Sequence, residues 1–376
     1  MIGLAHAVAL ARQGVSVTVV DRSRPPRWDG GDWRLRVSSI NRASEALLDA
    51  VGAWGQLPGW RAGVVRAIEV RDAAGGGRVR FDAADMGEPH LAHIVENELI
   101  EAALADVASA AGVALRAPAE LDDWRCDAGG LAATLTDGER IRARLLVGAD
   151  GAGSSVRGKA GIDVDRSSYG QCGLVCVVTL AEPVREVARQ RFLEGGPLAF
   201  LPLSDGRCSI VWSQPEADAR ARLELSDAAF LEALREAAAG WPSEPVAVGE
   251  RALFPLGRLH ARRYIGERVA LIGDAAHVIH PLAGQGANLG FADARALAEL
   301  VVDSRRAGRD PGRQLLLRRY ERRRRGDNAI MQLTMDAFHR VFTRSDPAAV
   351  RLRSLGFEAT DRVAPLKRLF MSRAMG

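Results

Sequence analysis

Aspartate and glycine stand together where apolar runs end in this chain of 376 residues. Asp150 and Gly151 follow LLVGA, Gly273 and Asp274 follow VALI, and Asp21 ends VSVTVVD. Glycine lets a flat or phosphate-bearing ligand approach the backbone closely. An aspartate at a strand end can accept hydrogen bonds from sugar hydroxyls. The pattern predicts a site for a ligand that carries both phosphate and hydroxyl groups.

The amino terminus shows part of a dinucleotide-binding pattern. MIGLAHAVALAR predicts a helix, and the β-branched segment 15–21 predicts a strand after it. Gly3 fits the last glycine of a G-x-G-x-x-G turn, and Asp21 fits the acidic residue that binds a ribose. A helix that feeds a buried strand is the second half of a βαβ unit, so we expect a first strand before residue 1. A glycine and an aspartate at this spacing are also common without a ligand.

The segment VALIGDAAHVIHPLAGQGANLGFADA, residues 269–294, carries the strongest pattern. We expect a buried strand that ends at the Gly-Asp pair, a loop at 277–286 and then a helix. The backbone N–H groups of such a loop and the helix N-terminus favour an electron-rich ligand group. His277 and His280 lie in the loop, where they could move protons or only shape the loop through hydrogen bonds.

Strands and helices must position these turns. Apolar periodicity predicts helices at 43–51, 98–111 and 226–239, and a β-rich section at 168–213 that is a candidate substrate-binding layer. After Pro311 the chain is expected to be helical and strongly basic. The predicted fold class is α/β, with the following units: a discontinuous nucleotide-binding domain at 1–165 and 255–315, a β-rich substrate domain at 166–254, and a helical C-terminal region at 316–376.

Composition narrows the class of protein. The formal net charge is +4, but aromatic residues make up only 5% of the chain and do not alternate with basic ones, so nucleic acid is not an expected partner. The four cysteines lack zinc-site spacing and are expected to be free buried thiols, with no metal site. Because no signal peptide or long apolar run is present, we expect a cytoplasmic location without a membrane span.

The three Asp/Gly motifs together resemble the group A flavoprotein monooxygenases, which have the para-hydroxybenzoate hydroxylase fold. Further segments narrow the resemblance to the ubiquinone-biosynthesis FAD-dependent hydroxylases, closest to the 2-polyprenyl-3-methyl-6-methoxy-1,4-benzoquinol hydroxylases. These segments are LRVSSINRAS, AHIVENELIEAAL, HPLAGQGANLGF, and the tail with RGDNAIMQLTMDAFHRVF and APLKRLFMSRAMG. The resemblance covers essentially the whole chain, and the tail is its most specific part because cofactor chemistry alone does not require it.

The resemblance implies a fold and a cofactor. The fold is an FAD-binding Rossmann-like domain of the glutathione-reductase type, with an inserted β-sheet substrate domain and a helical C-terminal region. In this family the chain begins with a strand and G-G-G, and this sequence starts where that pattern ends. We therefore expect the true start of the protein to lie upstream, since that strand normally lies between two others.

The resemblance also assigns roles to individual residues. Arg36 matches the arginine that reaches the FAD phosphate region, and Glu96 matches a position close to the cofactor; without the resemblance both would pass as ordinary surface charges. The other predicted cofactor-binding residues are Gly3 at the pyrophosphate, Asp21 at the adenosine ribose, Asp150 and Gly151 for FAD and pyridine nucleotide, Gly273 and Asp274 at the ribityl chain, and Gly284, Gln285 and Gly286 along the flavin ring. His280 and Pro281 are predicted to position the catalytic flavin loop.

The reaction implied is hydroxylation of the ring of a polyprenylated phenol or quinol through a flavin C4a-hydroperoxide, with NAD(P)H as the reductant of FAD and O₂ as co-substrate. Two alternatives stay open: a flavin hydroxylase of another aromatic substrate or ring position, and a non-catalytic member of a quinone-biosynthesis complex. The basic tail, with residues 318–325, could contact anionic lipid at the inner membrane, where such a substrate resides. A solvated helix face is the other interpretation of that charge.

Overall fold

The computed structural model describes residues 1–279 and 286–342 and isolated positions from 350 to 375. Its helices are α1 Ile2–Ala11, α2 Arg42–Ala50, α3 Asn97–Ala110, α4 Ser155–Lys159, α5 Glu216–Leu223, α6 Asp227–Ala237, α7 Gly286–Arg306 and α8 Gln314–Phe342. The first strands are β1 Thr18–Val20, β2 Val37–Asn41, β3 Gly63–Asp72, β4 Arg78–Asp82, β5 Ala92–Glu96, β6 Ala114–Arg116, β7 Leu121–Asp127, β8 Gly130–Leu135 and β9 Arg140–Ala143. The later strands are β10 Leu146–Gly148, β11 Val164–Leu180, β12 Glu186–Leu193, β13 Gly196–Pro202, β14 Cys208–Pro215, β15 Pro245–Ala261, β16 Ile265–Gly266, β17 Val269–Leu271 and β18 His277–Val278.

Short parallel strands form the nucleotide-binding part of the fold. β1 pairs in parallel with β6, and β10 pairs in parallel with β17, which in turn pairs with β16. β1 and β10 do not pair with each other; residues of both line a cavity of about 1910 Å³. β1 covers only part of the predicted strand at 15–21.

A ten-stranded sheet forms the second layer, in the order β18-β15-β11-β14-β13-β12-β3-β5-β2, with β4 paired to β3. Its longest strands are the antiparallel pair β11 and β15. Both strands extend beyond the predicted substrate domain at 166–254, and the sheet also takes in β2, β3 and β5 from the first hundred residues. Continuous strands thus join the predicted substrate domain to the predicted nucleotide-binding domain, and the division into these domains stays a prediction.

Helices cover the apolar faces of these sheets. α6 places Phe230 against Trp212 of the large sheet, and both side chains are buried. α1 is apolar on all sides, as expected of a helix that is buried all round, and it packs between α7 and α3. The four cysteines are free thiols. Cys172, Cys176 and Cys208 are buried in the large sheet as predicted, whereas Cys126 lies in a surface hairpin strand and is only half-buried. In the part of the chain that the structure describes, no helix has the length and apolarity that a membrane crossing requires.

Candidate functional site

Asp274 lies in a turn between β17 and β18. The chain leaves the buried strand at Ile272, and Gly273 takes a left-handed conformation with φ of 59° that favours glycine. The Asp274 side chain is exposed to solvent, yet surrounding protein desolvates it and raises the pKa of its carboxyl group, while His277 and Arg36 act in the opposite direction. Because the Asp274 side chain reaches solvent but has protein on most sides, it lies in a recess of the surface. Within the described residues its carboxylate accepts no hydrogen bond, so it is an available acceptor.

Arg36 lies across this recess, just before β2. Its guanidinium is exposed, stands 5.7 Å from the centre of the Phe254 ring, and is close enough to affect the titration of Asp274. The backbone carbonyl of Arg36 accepts a hydrogen bond of 3.0 Å from the N–H of Asn97, which fixes the base of the side chain. The site therefore offers an arginine and a carboxylate that can bind a phosphate and a hydroxyl-rich chain.

Glu96 is fully buried rather than open to the recess. Its carboxylate accepts hydrogen bonds from Arg61 Nε at 2.7 Å and from the backbone N–H of Arg34 at 2.7 Å. Arg61 in turn stacks over Trp33, with its guanidinium carbon 4.0 Å from the ring centre. These contacts hold the segment that presents Arg36. Glu96 is thus placed to support the site from behind, and Arg61, which the sequence analysis did not single out, is its partner.

Asp150 and Gly151 form a second turn after β10. The Asp150 carboxylate accepts hydrogen bonds from Ser154 Oγ, from Ser155 Oγ at 3.2 Å and from the Val156 N–H at 3.1 Å, so it caps the start of α4. Gly151 has φ of 80°, and a Cβ added there would meet nothing within 4 Å. The backbone at Gly151 is therefore open to a ligand, while the Asp150 side chain serves the turn.

Arg157 of α4 ties the two turns together. Its guanidinium is buried and donates to the carbonyl of Ala275, beside Asp274, and to the carbonyl of Ala152, both at 2.9 Å. Burial lowers the pKa of this arginine. The structure thereby brings the Asp150 turn next to the Asp274 turn.

Gly3 and Asp21 both line the large cavity. A Cβ added to Gly3 would lie 3.1 Å from the Cβ of Ala149, so only a small residue fits between α1 and the end of β10. Asp21 is exposed at the end of β1, and one of its oxygens accepts a hydrogen bond of 2.9 Å from the N–H of Ser23. Gly3 and Asp21 therefore face the same space from a helix start and a strand end.

Part of the predicted flavin loop is not covered by the structure. His280, Pro281, Gly284 and Gln285 lie outside the described residues. Gly286 is the first described residue of α7 and is half-buried, and a helix follows the loop as predicted.

A buried polar group next to the loop escaped the sequence analysis. Asp293 of α7 bonds to Nε2 of His277 at 2.5 Å and accepts from the N–H of Gly273 at 3.1 Å. Its other oxygen accepts from Arg324 of α8 at 2.6 Å. The contact with Asp293 gives His277 a structural partner. Asp293 lies in the helix that follows a glycine-rich loop, and this position in the sequence could have identified it as a residue of the site.

A second histidine cluster has donor atoms of the kind that bind metals. The ligand atoms of Glu45, His90 and His93 all lie within 4.8 Å of one another. However, Arg42 Nη1 lies 3.0 Å from Glu45 Oε1 and 3.0 Å from His90 Nε2. The guanidinium of Arg42 therefore already neutralises the Glu45 carboxylate. The contacts account for the cluster without a metal ion.

Comparison with known proteins places the chain in a family. A family model described as an FAD binding domain matches residues 1–334. The ubiquinone hydroxylase UbiL of Rhodospirillum rubrum is 38% identical over 380 residues, which cover 100% of this chain and 87% of that protein. The 3-demethoxyubiquinol 3-hydroxylase of Escherichia coli is 38% identical over 389 residues, which cover 100% of this chain and 96% of that protein. The chain belongs to the FAD-dependent ubiquinone-biosynthesis hydroxylases.

Solved structures agree with this fold. The p-nitrophenol 4-monooxygenase PnpA of Pseudomonas putida superimposes with a TM-score of 0.81 at 20% identity, over 100% of this chain and 96% of that one. PqsL of Pseudomonas aeruginosa, a probable FAD-dependent monooxygenase, superimposes with a TM-score of 0.78 at 26% identity, over 96% and 97%. The predicted flavoprotein monooxygenase fold is therefore confirmed, and this family member is an FAD-dependent enzyme.

The described residues fit FAD. Asp274 is an acceptor without a protein donor among the described residues, Arg36 is a cation beside it, and Gly151 leaves backbone open where a side chain would stand. A hydroxyl-rich chain that ends in phosphate needs this set of groups.

Proposed function

We propose that this enzyme hydroxylates the ring of a polyprenylated phenol or quinol in ubiquinone biosynthesis, with NAD(P)H and O₂ as co-substrates. The proposal is supported by relatives that are named for this pathway and match the chain over its whole length. When bound, FAD supplies the redox chemistry that activates oxygen. The chain's own residues bind and orient the reactants and exclude water from the reacting ring.

The observation that carries the assignment of the site is the available carboxylate of Asp274 with Arg36 beside it. We assign Asp274, with Gly273, to the ribityl hydroxyls and Arg36 to the phosphate region. Gly3 and Asp21 are assigned to the pyrophosphate and the adenosine ribose, because both face one cavity.

The remaining predicted residues have less direct support. The exposed backbone at Gly151 suits close approach of FAD or of the pyridine nucleotide. We assign Asp150 and Glu96 an indirect role, in which they hold the segments that bind the cofactor, since their carboxylates already accept hydrogen bonds from the protein. Gly286 stays a predicted contact of the flavin ring, as do the loop residues His280, Pro281, Gly284 and Gln285.

We also propose a peripheral contact with the cytoplasmic face of the inner membrane. The outer surface of α8 exposes apolar side chains among arginines: Leu315 is 73% exposed, Ile330 56% and Leu333 67%. Such a surface suits an interface with anionic lipid, where a polyprenylated substrate dissolves. Flotation with phosphatidylglycerol vesicles, but not with phosphatidylcholine vesicles, is the expected result. Equal recovery with both would contradict the electrostatic part of the proposal, and membership of a quinone-biosynthesis complex stays a prediction.

The test of the function combines cofactor binding with product formation. FAD affinity is measured by quenching of flavin fluorescence, for the wild type, for Asp274→Ala and for the exposed control Asp106→Ala. Loss of a hydrogen bond to a charged group predicts at least a tenfold rise in Kd for Asp274→Ala, on the order of 1.5 kcal/mol or more, and none for the control.

Product formation tests the substrate. NAD(P)H oxidation should rise with a prenylated quinol analogue, and mass spectrometry should find one added oxygen atom. Stimulation by a short aromatic substrate alone would favour a different hydroxylase. FAD binding without any hydroxylated product would favour a non-catalytic role in an assembly.

A further inference from the structure

One face of α8 carries polar side chains at every fourth position. Arg324, Asn328, Gln332 and Asp336 are four residues apart, so they lie one above the other along the helix. Each of these four residues is at most 8% exposed. Buried polar side chains destabilise a fold unless they are hydrogen-bonded, so their partners indicate what this set of residues does. We call the four residues the α8 stripe.

The first part of the stripe holds Asp293. Arg324 Nε donates to Asp293 Oδ1 at 2.6 Å, and Asn328 Nδ2 lies 3.2 Å from the same oxygen. The opposite oxygen, Oδ2, accepts from the N–H of Gly273 and bonds to His277. Asp293 thus connects α8 to the first residue of the turn after β17.

The next residue of the stripe holds the far end of the same turn. Gln332 Nε2 donates to the carbonyls of Val278 at 3.1 Å and of Leu259 at 2.8 Å. Val278 belongs to β18, which closes the turn, and it pairs with Leu259 of β15. The turn is therefore held at its two ends by one helix.

The last residue of the stripe reaches the large sheet. Asp336 accepts hydrogen bonds of 2.6 Å from Arg258 Nη1 and from the hydroxyl of Tyr169. Arg258 belongs to β15 and Tyr169 to β11, the long antiparallel pair of that sheet. The stripe consequently sets the position of the turn relative to the sheet as well.

We propose that the α8 stripe is a positioning device for Asp274: it fixes the two ends of the 273–278 turn, so that the exposed carboxylate between them is held ready for the ribityl chain of FAD. The inference rests on the proposed role of Asp274. A binding group must be held to within about 0.5 Å by residues whose own positions are fixed. The device also gives a physical reason for the tail segment RGDNAIMQLTMD, which contains Asn328, Gln332 and Asp336 of the stripe and which cofactor chemistry alone does not require.

The test uses Arg324→Met, Arg324→Lys and Gln332→Leu in the full chain, with Arg323→Gln as the control. Arg323 is the neighbouring position on the outer face, where it pairs with Glu299. Three quantities are measured: the Kd for FAD, the visible circular dichroism of the bound flavin, and the Tm of the cofactor-free protein. The circular dichroism reports the asymmetry of the flavin environment, which a role in stability alone would not change.

Arg324→Met is expected to raise the Kd for FAD about tenfold and to alter the flavin circular dichroism, since a hydrogen bond to a charged group is lost. Arg324→Lys should recover part of the affinity because it restores a cation beside Asp293. Gln332→Leu should raise the Kd about threefold, and Arg323→Gln should match the wild type. If Arg324→Met does not fold, the Lys and Leu variants carry the test.

Two results would overturn the inference in distinguishable ways. Stripe variants with a lower Tm but wild-type Kd and circular dichroism would show that the stripe only stabilises the fold. In the same series, Asp274→Ala shows whether the proposed FAD site or only the positioning role of the stripe is wrong. If that variant binds FAD as the wild type does, the proposed site itself is wrong; if it loses affinity while the stripe variants do not, only the positioning role is wrong.

Discussion

His6 should make the stability of this enzyme depend on pH in the weakly acidic range. The side chain is buried in α1, and its Nδ1 lies 2.9 Å from the carbonyl of Ala294 in α7. Its Nε2 is buried and has no hydrogen-bond partner among the described residues, so protonation would place a charge there that none of them compensates. Burial accordingly lowers the pKa of His6 from 6.5 to about 4.

The sign and the size of the effect follow from proton linkage. Below pH 6.5 the unfolded chain binds a proton at His6, whereas the folded protein does so only near pH 4. Stability is therefore unaffected by His6 above pH 6.5 and is lost as the pH falls between these values. The loss is about 1.4 kcal/mol for each pH unit, or about 3 kcal/mol over the whole interval.

Urea unfolding followed by tryptophan fluorescence, from pH 4.5 to 7.5, measures this loss. His6→Leu removes the titrating group and costs about 1 kcal/mol at every pH through the lost hydrogen bond. The slope of its unfolding free energy against pH should be smaller than the wild-type slope, and the difference should correspond to about one bound proton. Some slope should remain, because the pKa of His93 is also lowered to about 4. Leu4→Ala, a buried substitution in the same helix, should lower the curve without changing its slope.

Parallel curves for His6→Leu and the wild type would refute the reasoning. They would mean that water or a rearrangement of α1 solvates the imidazolium in the folded protein.

Three further substitutions test the packing described above. Glu96→Gln should lower the free energy of unfolding by about 3–5 kcal/mol, because Arg61 is left buried without its counter-charge; a loss below about 1 kcal/mol in urea unfolding would show that water reaches the pair. Phe230→Ala should cost about 3–5 kcal/mol in the same assay, through the cavity left between α6 and the sheet, and an unchanged midpoint would argue against that contact. Gly290→Ala should cost about 1–3 kcal/mol, because the added Cβ would lie 2.9 Å from Cγ1 of Ile2; calorimetry that shows a higher Tm would contradict this close packing.

Local patterns explain what the sequence predicted well. Helices at 43–51, 98–111 and 226–239 occur within two residues of the expected limits, as Arg42–Ala50, Asn97–Ala110 and Asp227–Ala237. The Asp150 and Asp274 turns follow strands as predicted, although β10 is only partly buried, because glycine and aspartate mark strand ends through backbone conformation and local hydrogen bonds. These signals depend on neighbours in the chain, which a sequence displays directly.

Long-range contacts explain what the sequence did not predict. Nothing local shows that Glu96 would be enclosed by Arg61, or that Arg324 would meet Asp293, because these partners are far apart in the chain. Sheet membership is equally non-local: β3 pairs in parallel with β12, more than a hundred residues later. Charged residues in a sequence are ordinarily assigned to the surface, and burial of a pair is visible only once the fold brings both members together.

The reactivity of the buried thiols in the large sheet can be used to measure local opening of the protein. Burial raises the pKa of Cys176 and of Cys208 to about 12, and Cys172 is buried in the same strand as Cys176. Since alkylating reagents attack the thiolate, Cys176 and Cys208 react only when the packing of α6 against the sheet opens. The rate of alkylation of these buried cysteines therefore measures how often this layer opens, and comparing the rate with and without FAD shows whether cofactor binding reduces that opening.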